Sequence, residues 1–314
     1  MRRFLTIPFL LVGAVAVVVA ILPMILPSNF YMRVAALVYI NAIAVLGLNL
    51  LMGFAGQVSL GHAGFFGIGA YAMALGPVYL GLPSWASLLG GTAVSALLAF
   101  LVGRPILRLN GYYLAIATLG MGMLVAMVIS NEANITGGPN GMEVQRMVLF
   151  GWRVAGSVTW YWISGISLVI AALVVVNLIN SPTGRALRSI HDSEIAARVL
   201  GIDVARYKLL AFVISAIFAS IAGSYLALLD GFVTPTTAGF LLSIELVVMA
   251  VLGGLGSILG SIVGAAILVI LPQALTVFHE YEHVVLGAII VVFLILLPSG
   301  IVPAIAALIR RRPA

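Results

Sequence analysis

From Leu209 to Leu229 the chain carries no charged side chain, and comparable apolar runs recur along most of its length. A helix needs about 20 mostly apolar residues to cross the hydrocarbon of a bilayer. Backbone amides there meet no water, so the crossing segment must satisfy them internally. Charged residues make up only 8% of the 314 positions, and the mean hydropathy of +1.24 lies far outside soluble globular composition. The pattern predicts an all-α polytopic membrane protein with about ten transmembrane helices. Their expected bounds are 4–26, 33–52, 64–82, 84–103, 110–130, 158–179, 209–229, 240–255, 257–276 and 284–302. No segment is long and polar enough to form a soluble catalytic domain, so residues 1–314 read as one membrane domain.

The few charges orient these spans. With the N-terminus inside, twelve of the 15 basic residues fall on the inner face: Arg2, Arg3, Arg104, Arg108, five between 181 and 208, and Arg310 to Arg312. Only Arg33, Arg146 and Arg153 fall outside. That asymmetry follows the positive-inside rule, and an even number of spans places both termini in the cytosol. Trp85, Trp152, Trp160 and Trp162 fall on or near the outer side, as an aromatic belt would. The basic residues flank spans instead of forming a stripe, so the net charge of +6 does not point to nucleic acid. There is no Cys, hence no disulfide or thiolate chemistry. The opening MRRFLTIPFLLVGAVAVVVAILPMILP has the basic start of a signal peptide, but its apolar run is too long and lacks a cleavage site. It reads as a retained first span. The largest outer loop, 131–157, contains ITGGPNGM, whose glycines suit tight turns with positive φ.

One segment breaks the apolar monotony. Ser181 to Lys208 gathers Arg185, Arg188, Arg198, Arg206 and Lys208 with Asp192, Glu194 and Asp203. Ser181 before Pro182 is a good N-cap and first helical position. Ser193 can cap a second short helix, with Glu194 at its positive end and Arg198 in reach at i+4. Gly201 stands where a helix-ending left-handed residue is expected. Ala196 and Ala197 leave a smooth face beside Ile195, Val199 and Leu200, suited to a groove in another protein. A solvated connector carrying positive-inside charge explains the same spacing.

The second landmark is GLNLLMGFAGQVSLGHAGFFGIGAYA, residues 47–72. Each glycine weakens a helix by roughly 1 kcal/mol relative to Ala, and Gln57, Ser59 and His62 bring polar groups into apolar surroundings. Interrupted helices are tolerated at membrane depth when buried in protein or lining a cavity. The segment therefore reads either as a gate beside a translocation path or as close helix packing followed by a cytosolic turn. Gly256, Gly260 and Gly264 form small-xxx-small steps that favour close packing.

Four blocks in order resemble branched-chain amino acid ABC transporter permeases: GLNLLMGFAGQVSLGHAGFFGIGAY, LNGYYLAIATLG with ITGGPNGM, Glu194-x-Ala196-Ala197-x-x-x-Gly201 followed by YKLLAF, and IELVVMAVLGGLGSILGSIVGAAIL. The GYYLAIATLG and TGGPNG pair is similar to the larger-loop permease subtype of the high-affinity uptake system. The resemblance implies a type II ABC importer-like permease, multi-pass in a bacterial or archaeal inner or plasma membrane. It implies a second homologous permease subunit, two cytosolic ABC ATPase subunits and an extracytoplasmic substrate-binding protein. It also makes 181–208 the coupling loop, with Glu194, Ala196, Ala197 and Gly201 as ATPase contacts. Gln57, Ser59, His62, Tyr113 and Thr118 would then border the substrate path. Branched-chain or other small neutral amino acids are the implied substrates, with urea or short amides as the alternative. No catalytic residue, cofactor or metal is implied, and no phosphate-binding loop is present, so the ATPase must be another polypeptide.

Two rivals come from other classes. His279-Glu280-Tyr281-Glu282-His283 is a literal HExxH, and Leu229-Asp230-Gly231 would complete an intramembrane zinc protease. The order of the two motifs is reversed for that class, and HEYEH falls in an outer loop. An ion-coupled secondary transporter needs ionisable groups inside its spans, and Glu245, Asp230 and His62 are a thin supply.

Overall fold

A computed structural model describes residues 2–25, 28–149, 152–275 and 282–310. The helices are α1 (Arg2–Ile25), α2 (Asn29–Asn49), α3 (His62–Leu80), α4 (Ser84–Ile106), α5 (Tyr112–Asn131), α6 (Ala133–Thr136) and α7 (Ser157–Asn180). They continue with α8 (Pro182–Asp192), α9 (Glu194–Val199), α10 (Val204–Asp230), α11 (Phe240–Gly253), α12 (Ile258–Leu275), α13 (Glu282–Leu296) and α14 (Ile301–Arg310). A π-helical turn, Leu50–Phe54, extends α2. Six of the described helices are long and apolar enough to cross a membrane: α2 with its π turn, α3, α4, α5, α7 and α10.

The extended α2 stands at the centre, with 83% of its most apolar window buried. It packs against α7, α10 and α12, while α3 lies against α10 and α4. By contrast α4 is only 28% and α5 33% buried over the same window, which places them at the rim. Burying apolar side chains gives little drive within lipid, so close approach of backbones and satisfied polar groups must hold such a bundle. The contact of α3 with α10 shows both. Gly69 lies against the Ser220 carbonyl and Gly223 against that of Phe66, where any Cβ would collide. Ser224 donates to the Gly69 carbonyl at 2.9 Å. The α3 glycines thus serve packing.

Several expected spans change at their ends. The span placed at 284–302 stops at Leu296, because Pro298 and Gly300 (φ 86°) break it and α14 follows as a separate helix. α11 has 14 residues, about 21 Å at 1.5 Å per residue, short of a roughly 30 Å hydrocarbon core. The turn into α12 is gripped by Asn49, which donates to the Ser257 carbonyl (2.9 Å) and Ser261 Oγ (2.7 Å) and accepts from the Gly256 amide (2.8 Å). Gly256 therefore belongs to this turn, at φ 74°, and not to the packing face of α12; Gly260 and Gly264 alone press on α11.

At the opposite end of the bundle, β1 (Met142–Glu143) and β4 (Phe232–Val233) pair antiparallel, as do β2 (Val148–Leu149) and β3 (Trp152–Arg153). Gly137, Gly138 and Gly141 adopt the positive φ that the sequence required, at 73°, 57° and 73°. Arg33 bonds Asp230 at 2.6 Å, so the Asp of the LDG motif is engaged by an arginine. Trp160 departs from the expected belt: it is buried and packs on Tyr225 at 5.8 Å between ring centroids. His279 to Tyr281 of the HEYEH motif lie outside the described residues.

Candidate site linking the charged loop to the glycine-rich segment

The charged loop folds as its caps dictate. Ser181 accepts from the Gly184 amide at 3.4 Å and starts α8; Ser193 accepts from the Ala196 amide at 3.3 Å and starts α9. Glu194 and Arg198 approach to 3.8 Å, and Gly201 leaves α9 at φ 81° with open space where a side chain would sit. Ala197 turns inward and packs with Ile190 and Val204. Ala196 lies at the surface. The outer face of α9 is instead built by Ile195, Val199 and Leu200, exposed by 77%, 83% and 74%. Two large apolar side chains on this six-residue helix, with Leu200 at its C-cap, form an uncovered patch of the kind that marks an interaction surface.

The inner face of the same loop touches the glycine-rich segment three times. The Arg188 guanidinium lies 5.9 Å from the Phe54 ring. His191 closes over Gly56, whose φ of 67° and close ring neighbour both exclude a side chain. Gln57 Nε2 donates to Glu194 Oε1 at 3.3 Å and to the Ala55 carbonyl at 3.0 Å. Glu194 also pairs with Lys208, whose ammonium donates to Asn110 Oδ1 at 3.3 Å in the turn between α4 and α5. Lys208 is 1% exposed. Burying an ammonium costs several kcal/mol unless a counter-charge and hydrogen bonds answer it, and here Glu194 and Asn110 do so. One carboxylate thus ties α9, α10 and the 55–61 loop together, and Lys208 adds the α4–α5 turn.

Residues 55–61 are non-helical, with Gln57 and Ser59 buried. This stretch and the first turn of α3 are held by hydrogen bonds to three other helices. Ser59 Oγ and His62 Nδ1 share a hydrogen bond at 2.9 Å, and His62 Nε2 shares another with Ser215 Oγ of α10 at 2.5 Å. The Leu60 amide donates to Thr118 Oγ1 of α5 at 3.1 Å, and the Ala63 amide to Ser243 Oγ of α11 at 3.0 Å. Irregular backbone inside the bundle is tolerated because each of these groups is answered. Ser59, His62 and Thr118 are therefore linked through this stretch, all buried, while Gln57, also buried, turns to Glu194 instead. Tyr113 is not among them: it stands on the first turn of α5, 75% exposed.

Ser215 and Ser243 complete these networks from outside the quoted sequence blocks, while Asn110 and Lys208 lie inside them without showing their roles. Lys208 carries a readable signal, since it shares a helix face with Val204, Ala211, Phe212 and Ser215, all buried.

The sequence profile of a family described as "Branched-chain amino acid transport system / permease component" matches residues 30–294. The chain belongs to this family. It is 38% identical over 294 residues to the high-affinity branched-chain amino acid transport system permease protein LivM of Salmonella typhimurium, covering 86% of this chain and 69% of that protein. Identity and coverage are the same for LivM of Escherichia coli strain K12. The permease protein LivH of Salmonella typhimurium is 26% identical, over 83% of this chain and 90% of its own length. The greater likeness to LivM agrees with the larger-loop subtype suggested by GYYLAIATLG and TGGPNG. No solved structure matches the chain. The permease thus holds its charged loop and its glycine-rich segment in one polar network, with an apolar patch on the loop's far side.

Proposed function

We propose that this permease is the subunit through which an ATP-driven importer passes branched-chain amino acids into the cell. The observation that carries the coupling is α9: its outer face exposes Ile195, Val199 and Leu200, while its inner face holds Glu194 against Gln57 and Lys208. Cytosolic ATPases seated on Ile195, Ala196, Val199 and Leu200 would move α8 and α9, with Gly201 as the turn that sets the helix end. Glu194 passes that movement to the 55–61 loop. The loop, with Ser59, His62 and Thr118, borders the gate between outward and inward access. Tyr113, exposed on α5, borders the path once a second homologous permease covers that rim helix.

In this reading the chain makes ten crossings, with α1 and the shorter α11, α12 and α13 completing the set and both termini cytosolic. An extracytoplasmic binding protein delivers the amino acid at the end that carries β1 and β4.

The test is uptake of labelled leucine, isoleucine and valine by membrane vesicles holding the assembled importer. Uptake should survive uncouplers and stop when ATP is withdrawn; the reverse would make this a secondary transporter. Gly201→Asp should abolish uptake while the permease stays in the membrane. Asp tolerates the left-handed conformation and meets open space at 201, so loss there reports docking and not misfolding.

A further inference from the structure

A cleft of 710 Å³ opens between the end of α4 and the start of α10, within the roughly 300–1,000 Å³ range of ligand-holding sites. Arg104, Arg108, Arg198 and Arg206 line it, with Phe100 and Leu107 as apolar walls. Its other charges are already answered. Asp203 caps α10 by accepting from the Arg206 amide at 3.1 Å, and Lys208 is held by Glu194. None of the salt bridges among the described residues includes Arg104, Arg108 or Arg206, and Arg198 reaches Glu194 only at 3.8 Å. The Arg104 guanidinium rests 4.4 Å from the centroid of the Phe100 ring, which fixes it at the cleft wall. Nothing in the permease's proposed coupling uses these four arginines together.

The surroundings say what kind of anion fits. α4 is the least buried of the long apolar helices, and just before the cleft it exposes Leu97 and Leu101, each by 58%. An occupant therefore meets planar guanidinium donors at one end and a bare apolar helix face at the other. Guanidinium forks match phosphate oxygens in pairs, and basic pockets between helices at the cytosolic boundary suit anionic lipid headgroups. A free phosphate would leave the apolar walls unused.

We propose that this cleft holds the phosphate headgroup of an anionic phospholipid, with its acyl chains along the exposed face of α4. The proposal rests on the orientation given above, which puts this end of the bundle at the cytosolic leaflet. It is read by lipid retention on purified protein, so it stands or falls separately from transport.

The full-length chain, purified in detergent, is mixed with phosphatidylglycerol, with phosphatidylcholine of the same acyl chains, or with inorganic phosphate, and bound lipid is counted by native mass spectrometry. Phosphatidylglycerol should be retained over phosphatidylcholine, and millimolar phosphate should not displace it. Arg104→Gln with Arg108→Gln should weaken retention about tenfold or more, while the charge-matched pair Arg146→Gln with Arg185→Gln leaves it unchanged. Arg104→Lys with Arg108→Lys keeps the charge and should fall between the two. Equal retention of both lipids, an equal loss in both glutamine pairs, or displacement by phosphate would overturn the proposal. Should the glutamine pair in the cleft fail to fold, the lipid preference of the native chain and the lysine pair still decide it.

Discussion

At Lys208 the cost of a charge inside the bundle is met chiefly by one carboxylate, and that sets an asymmetry between the two partners. Replacing Glu194 by Gln strands a buried ammonium beside Asn110, whereas replacing Lys208 by Met leaves Glu194, 24% exposed, with Gln57 and Arg198. Breaking such a pair at the buried end costs about 3 kcal/mol. Glu194→Gln should therefore lower the thermal midpoint of the detergent-purified chain clearly more than Lys208→Met. Glu194→Gln with Lys208→Met should recover most of the loss, because neither charge remains. A double variant as unstable as the sum of the two would contradict the pairing. The sequence made Glu194 stand out through its place behind a capping serine, a local signal. It could not show where the carboxylate points, because its partners at 57 and 208 come from other elements. Lys208 reads as one more inner-face charge until its helix face is drawn.

Elements whose ends are set by local chemistry were readable, and those set by packing were not. α8 and α9 begin at the serines that the capping rules pick out, and Gly201 ends α9 in the left-handed conformation expected of it. The interruption at 55–61 was legible from glycine and polar content. The stitching of this stretch by Thr118, and of the start of α3 by Ser215 and Ser243, was not, since three separate helices supply those hydroxyls. The break before α14 follows from Pro298 and Gly300, which hydropathy averaging smooths over, whereas α11 keeps close to its expected 240–255. For α9 the conformation at 201 gives a direct check. Gly201→Val, which forces a β-branched residue to positive φ, should lose roughly 1–2 kcal/mol, seen as a lower thermal midpoint. Gly201→Asn, at home in that region, should stay near the native value.

At the scale of the whole molecule, the charge asymmetry sets an expected orientation for the helical bundle. The orientation can be read directly because the chain has no cysteine. A single Ser193→Cys should react with a membrane-impermeant maleimide only when the cytosolic side is opened, and a single Glu143→Cys from outside in intact cells. Both positions are exposed. The reverse pattern would invert the topology and move α8 and α9 away from any ATPase. The central claim is that energy enters through the apolar face of α9 and reaches the 55–61 loop through Glu194. Its most direct measurement is ATP-dependent leucine uptake by vesicles carrying the assembled importer with Ile195→Asp and Val199→Asp. Those side chains are 77% and 83% exposed, so the fold should stand. Uptake should be lost with the permease present at native level; uptake at the native rate would contradict coupling through α9.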